Sequence, residues 1–578
     1  MYDIVINNGR YFDGSPAPSG IKHLAIEGGN IVRIDDFPID TSLAKRVIDA
    51  KGLWIMPGFI DTHTHYDAEL LVSPGLTESL RHGVTTVMVG SCSLSMVCCE
   101  PEDASDIFTR VETVPREKVL PILQKTMSWR TPAQWVEHVS QLPLGPNLIS
   151  MLGHSDLRTG VMGLSRATNP TISPTEQELA QMEALLKEAF DAGFVGLSTM
   201  RLKWDKVDGD REWSKSLPGT YASWREVARL NRLVRQYRRV HQGAPDAATP
   251  LQVTQYMREC LGWLRAPLKT TLISQMDLKG SVYLRFLTKV VSVVTNLLKG
   301  DFRWQLIPTP FKVYADGIDV VLFEEFKAGE LALDLRDEVE RNALLQDEGY
   351  RRQFRQFYGE KLSPRVWQRD FGDAQIVDCP DPSLIGKNFE EIANARNVHV
   401  VDLFLDLVVT YGKKMRWYTV IGNHRPEVLK KLVRDKRALI SFSDAGAHIR
   451  NMAFYNLPLR LLQLVKQAND NGENVMTLEQ AVWRVTGDQA DWFGIDAGYI
   501  KKGNRADIAI LDPAQLSQDL EQVHWAEMQN FDLQRLVNRN SGLIKYVLVN
   551  GKIAVDNEHI VPEIGEQTGF GHFLQAHT

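Results

Sequence analysis

The sequence predicts an α/β protein in which a long strand–helix region is flanked by two short β-rich ends. Three features carry this expectation. Residues 2–57 are apolar β-formers broken by Asn-Gly and Gly-Gly turns, the middle alternates helical stripes with wholly apolar strands, and the β texture returns after residue 505. No GxGxxG follows a first strand, which favours a barrel over a doubly wound dinucleotide fold. At 578 residues the chain exceeds one ordinary core.

Taken in order, Asp3-Ile-Val-Ile runs into Asn7-Asn8-Gly9, and Leu24-Ala-Ile-Glu reaches Gly28-Gly29-Asn30. Ile31-Val-Arg-Ile and Arg46-Val-Ile-Asp follow, so the segment reads as hairpins. Ala506-Asp-Ile-Ala-Ile-Leu-Asp and Tyr546-Val-Leu-Val-Asn-Gly-Lys repeat that texture. Neither end has strands enough for a good sheet alone, so one sheet built from both is the economical expectation. The expected division is 1–57 and 496–578 as the two parts of a β-sandwich, with 58–495 between them.

In the middle region, Thr131-Pro-Ala-Gln and Ser173-Pro-Thr-Glu read as capping boxes with Pro at the first helical position. The second opens a helix with the stripe Leu179, Met182, Leu185, Leu186, Ala189 and Phe190, followed by a strand from Phe194. Gly83–Gly90, Asn147–Gly153 and Ala438–Ser443 read as buried parallel strands. Val282 to Leu298 reads as an apolar helix, in the core or lining an apolar pocket.

Composition narrows the function. A net charge of −6 and a pI near 6.2 leave no footprint for nucleic acid. Five cysteines are sparse and odd in number, which suits a reducing compartment. No apolar run spans a bilayer and the N-terminus lacks a signal-peptide pattern, so a cytoplasmic protein without a membrane partner is expected.

The segment Pro57-Gly-Phe-Ile-Asp-Thr-His63-Thr-His65 carries the first chemistry. Histidines at i and i+2 on a strand put both rings on one face, within reach of one metal ion, with Asp61 on the same face. Cys92 closes another apolar strand, and a thiolate is a good Zn²⁺ ligand. Asp444 follows Ser441-Phe-Ser, where its carboxylate would emerge at a barrel mouth.

This ordered set resembles the amidohydrolase superfamily, and within it the D-aminoacylase (N-acyl-D-amino-acid deacylase) branch. Gly83-Val-Thr-Thr-Val-Met-Val-Gly-Ser-Cys92, Gly153-His-Ser-Asp-Leu-Arg158, Gly193–Thr199, Tyr314–Gly317 with Phe323–Glu325, Ser443-Asp-Ala-Gly-Ala-His448 and Gly498–Asp507 carry the likeness over nearly the whole chain. It implies a (β/α)₈ barrel with a small β-sandwich from both termini, one zinc ion, and deacylation of an N-acyl-(D-)amino acid by metal-activated water. The metal ligands would be His63, His65, Cys92 and Asp444, with Asp444 as general base and then acid.

The resemblance also implies two more histidine ligands, in Ser/Thr-His-x-Arg and Ile-Ser-His stretches. The nearest segments, Val253–Glu259 and Leu272–Asp277, place Tyr256 (or Gln255) and Gln275 there instead. The metal could then be held by the four ligands alone, or with His154 or His241 as a replacement, or be lost. Arg258, His154, Tyr256 and Gln275 are the expected substrate contacts. Arg201, Lys203 and Trp204 lie on a loop at the expected mouth, while His448 is as open to a structural role as to substrate contact. The expected partner is a small N-acyl or amide molecule, with self-association open. A scaffold with reduced or no metal, running a non-hydrolytic step or serving as a binding protein, is the alternative, and a cyclic amide is a third substrate class.

Overall fold

The computed structural model describes residues 1–246, 249–262, 265–360 and 365–577. Eight parallel strands form one curled sheet: β1 (Phe59–Asp61), β2 (Val84–Val89), β3 (Asn147–Gly153), β4 (Gly196–Met200), β5 (Val240–Ala244), β6 (Lys269–Leu272), β7 (Phe302–Leu306) and β8 (Ala438–Ile440). Each pairs with the next in chain order, which right-handed strand–helix crossovers produce. Beyond β1 and β8 the ring closes: Thr64 and Ala445 bridge in parallel, and the His65 N–H donates to the Ala445 carbonyl at 2.8 Å.

The chain ends do build one sheet. Trp54–Pro57 pairs in parallel with Tyr2–Tyr11 on one side and antiparallel with Ile508–Leu511 on the other. Ile508–Leu511 continues to Ile544–Val549 and Lys552–Asp556. Ile4, Ile6, Leu24, Ile26, Ile508, Ile510 and Leu548 bury one shared face, so neither half closes its core without the other.

The helix stripe is as expected, with Leu179, Met182, Leu186, Ala189 and Phe190 buried on helix Glu176–Asp191. Its cap differs: Thr175 and Glu178 form the capping box, because Ser173-Pro174 lies too early for the reciprocal bonds. A larger departure lies between β7 and β8. An antiparallel sheet of Phe311–Asp316, Arg416–Gly422 and Ala374–Asp378 is inserted there, with helices that include Glu348–Gly359 and Val400–Tyr411. Phe323, Phe354, Trp367, Phe371, Phe404 and Trp417 pack ring against ring as its core. Among the described residues, no helix is long and apolar enough to cross a membrane.

Candidate metal centre

His63 and His65 follow β1 at the C-terminal end of the barrel, where side chains from several strand ends converge. Cys92 sits just past β2 on a turn in which Cys92 and Ser93 adopt φ of 52° and 69°. Asp444 follows β8 at φ 51°, flanked by Phe442 at 94° and His448 at 46°. Left-handed backbone at non-glycine residues costs ~1–3 kcal/mol each, and such strain clusters where a side chain must be aimed.

Neighbouring groups hold the Cys92 turn. The Ser93 N–H donates to Ser198 Oγ at 2.9 Å, and Asp156 accepts from Ser95 Oγ at 2.6 Å and from the N–H groups of Val97, Cys98 and Cys99. A Cβ at Gly153 would meet the Ser93 carbonyl oxygen at 2.5 Å, so only glycine lets β3 pass this close.

The donor atoms of His63, His65 and Cys92 all lie within 4.8 Å of one another. His63 Nε2 is 3.2 Å from Cys92 Sγ and 3.4 Å from Asp444 Oδ1, while His65 Nε2 is 3.6 Å from the same oxygen. His63 Nδ1 lies 2.5 Å from the amide oxygen of Gln305, which takes its proton in a hydrogen bond and leaves Nε2 as a lone pair facing the cluster. His65 Nδ1 stands 3.2 Å from Glu112 Oε1 on the other side.

Burial dominates the electrostatics. It pushes the imidazoles of His63 and His65 down to about 4 and about 3, so both are neutral and able to ligate. It drives the Cys92 thiol and the Glu112 carboxyl well above their usual ranges. Burial also raises Asp444, opposed by the charges of His63 and His448. Asp444 Oδ1 is buried without a hydrogen-bond partner. Two neutral imidazoles and a thiol within 4.8 Å of one another form a donor set that fits a divalent cation, and the unpartnered Asp444 oxygen lies beside the two imidazoles.

The other expected site residues lie elsewhere. Val253–Glu259 belongs to helix Pro250–Cys260, not to a strand, because Pro250 at its first turn and an i, i+3 apolar pattern favour a helix. Tyr256 is therefore outside the barrel, stacked on His241 and 3.0 Å from Thr199 Oγ1, and Arg258 is exposed on the same helix. The true fifth strand contains His241 and Gln242. His241 faces outward to Thr199 and Asn231, whereas Gln242 faces in and accepts the Cys92 N–H at 2.9 Å. Gln275 is buried just past β6 with its Oε1 unpartnered, but it does not line the cavity at the metal centre. His154 is buried and bonded at 2.9 Å to Glu226, which also holds Arg158. His154 and His241 are thus both occupied structurally.

Glu112, Gln242 and Gln305 were not singled out from the sequence, and neither was the carboxyl of Asp205. The cavity beside the donors is lined by His65, Cys92, Glu112, Asp205, Asp444 and His448 on its polar side. Trp204 and Phe442 lie among its apolar residues, whereas Arg201 bonds back to the Ala222 carbonyl and Lys203 is exposed.

Residues 46–212 match the sequence profile of the amidohydrolase family. An uncharacterized protein of Mycobacterium tuberculosis is 46% identical over 585 aligned positions, covering 100% of this chain and 96% of that one. The N-acyl-D-aspartate deacylase of Alcaligenes xylosoxydans xylosoxydans is 34% identical over 198 residues, 34% of this chain and 36% of its own. The zinc- and phosphonate-bound crystal structure of N-acyl-D-glutamate deacylase from Bordetella bronchiseptica covers 100% of both chains at a TM-score of 0.63 and 20% identity. The chain carries an amidohydrolase-family domain over residues 46–212, is similar over about a third of its length to D-amino-acid deacylases, and is a hydrolase of carbon–nitrogen bonds other than peptide bonds.

Proposed function

We propose that the chain deacylates an N-acyl-D-amino acid with one zinc ion held by His63, His65, Cys92 and Asp444. The observation that carries this reading is the buried, unpartnered Asp444 Oδ1 within 3.6 Å of the Nε2 atoms of both histidines. The deacylase relatives supply the substrate class, and that part of the reading rests on analogy.

Zinc at this position supplies a Lewis acid for the acyl carbonyl and lowers the pKa of a water there. The chain's own residues do the rest. Gln305 fixes the His63 imidazole from behind by a hydrogen bond, Glu112 stands 3.2 Å behind the unpartnered His65 Nδ1, and Gln242 fixes the Cys92 backbone. The Asp444 carboxylate accepts a proton from the attacking water and returns it to the amide nitrogen as the C–N bond breaks. His448 lines the same cavity, with its Nε2 3.9 Å from Glu112.

Gln242 within β5 and Gln275 just past β6 favour a single ion, since an amide oxygen competes poorly with imidazole for zinc. The same glutamines motivate the second reading, a barrel retained for binding or a non-hydrolytic step. Metal analysis of the purified chain, joined to a panel of N-acyl-D- and L-amino acids, separates the two. About one zinc per chain with release of a D-amino acid supports deacylation. No zinc after add-back, and no turnover, leaves the repurposed barrel.

A further inference from the structure

The cavity beside Asp444 encloses about 240 Å³ and is apolar over most of its wall. Met276, Leu284, Leu287, Val313, Leu322 and Ile421 line it, from helix Val282–Leu297, the inserted sheet and the segments between them. Among the described residues that line it, none is a lysine or an arginine, and the carboxyls belong to Glu112, Asp205 and Asp444. A carboxylate of the substrate finds no counter-ion among them. The adjoining polar cleft, which shares Val111, Trp204 and Asp205 with this cavity, does hold cations, but Arg110 is already paired with Glu324 and Asp334 and Lys206 with Glu330.

The two compartments sort a substrate by polarity. A carboxylate is disfavoured in the apolar compartment, the scissile amide must lie at Asp444, and the apolar compartment is left for the acyl group. An acetyl group would leave most of that space and wall unfilled, whereas a hydrocarbon chain gains roughly fourfold in binding for each methylene it buries. The apolar surface also continues outward, because helix Val282–Leu297 turns Phe286 and Leu297 to solvent at 65% and 74% exposure while Leu284 and Leu287 face in. We propose that the acyl group removed is a long unbranched hydrocarbon chain, seated between helix Val282–Leu297 and the inserted sheet. This specificity rests on the deacylase reading above.

The test is a series of N-acyl-D-alanines, from acetyl through hexanoyl to dodecanoyl, assayed with the zinc-loaded full chain below micellar concentrations. N-acetyl-D-tryptophan is included as a short-chain substrate with a bulky amino-acid part. The proposal expects kcat/KM to rise at least a hundredfold from acetyl to dodecanoyl, with Leu284→Trp cutting the dodecanoyl-to-acetyl ratio at least tenfold. A flat series, or N-acetyl-D-tryptophan as the best substrate, overturns it. Binding of dodecanoate to the zinc-free chain, followed by displacement of a fluorescent apolar probe, gives a readout independent of turnover. Dodecanoate bound with no substrate turned over would sink the deacylase reading and keep the acyl pocket, and no displacement would sink the pocket itself. If Leu284→Trp does not fold, the wild-type series and the displacement assay decide the matter.

Discussion

The side-chain oxygen of Gln242 accepts the backbone N–H of Cys92 at 2.9 Å, tying the end of β5 to the left-handed turn that aims the thiol. An amide of β5 thus holds the backbone of Cys92, one of the proposed ligands. Such orienting partners are worth 10–100-fold in metal affinity. Gln242→Ala should weaken zinc binding by about that factor in a chelator competition, while the buried Cys92 N–H it leaves unpaired costs about 1–3 kcal/mol of stability in urea unfolding. Unchanged affinity would show that the turn holds itself.

Asp444→Asn removes the carboxylate proposed to handle the proton and keeps its shape. Hydrolysis of the best N-acyl substrate should fall by about 10²–10⁴-fold, with near-native circular dichroism. Retention of more than a tenth of the wild-type rate would assign the proton to another group.

Glu226 is almost wholly buried between His154, at 2.9 Å, and Arg158. Removing one partner strands a buried charge, so Glu226→Ala should destabilise the barrel by about 3–5 kcal/mol in urea unfolding. Arg258→Ala, on an exposed helix face, should fall within about 0.5 kcal/mol of wild type.

His82 ends helix Thr77–Arg81, with its Nε2 buried and unpartnered. Burial lowers it from 6.5 to about 4. The unfolded chain therefore binds this proton more readily, and the stability it contributes is complete above pH 6.5 and lost as pH falls from 6.5 to about 4. The loss amounts to about 3 kcal/mol, and His82→Gln should flatten that part of the unfolding-versus-pH curve. A curve with the same slope would place the acid sensitivity elsewhere.

The barrel was legible because several of its strands are buried apolar runs and its first pair of histidines, His63 and His65, stands two residues apart at one strand end. Both terminal segments announced their shared sheet through hairpin turns. The fifth strand was not legible: Val240-His-Gln-Gly-Ala is short and half polar, while the neighbouring Val253–Glu259 mimics a family strand. One residue of register separates His241, turned out to Asn231, from Gln242, turned in to Cys92, and period-two alternation makes that step decisive. Glu112 could not be found by pattern either. It ends a helix far from the other site residues in sequence, and only the fold brings it to His65.

The antiparallel pairing of Trp54–Pro57 with Ile508–Leu511 has a consequence in time. On a ribosome adding about 5–20 residues per second, the first strand waits roughly 20–90 s for its partner. Throughout that wait the edge of Trp54–Pro57 that will receive Ile508–Leu511 is unpaired, and the apolar face of the early strands has no cover. Shortening the chain before residue 508 would make that interval permanent, so truncated products should be recovered as aggregates or bound to chaperones.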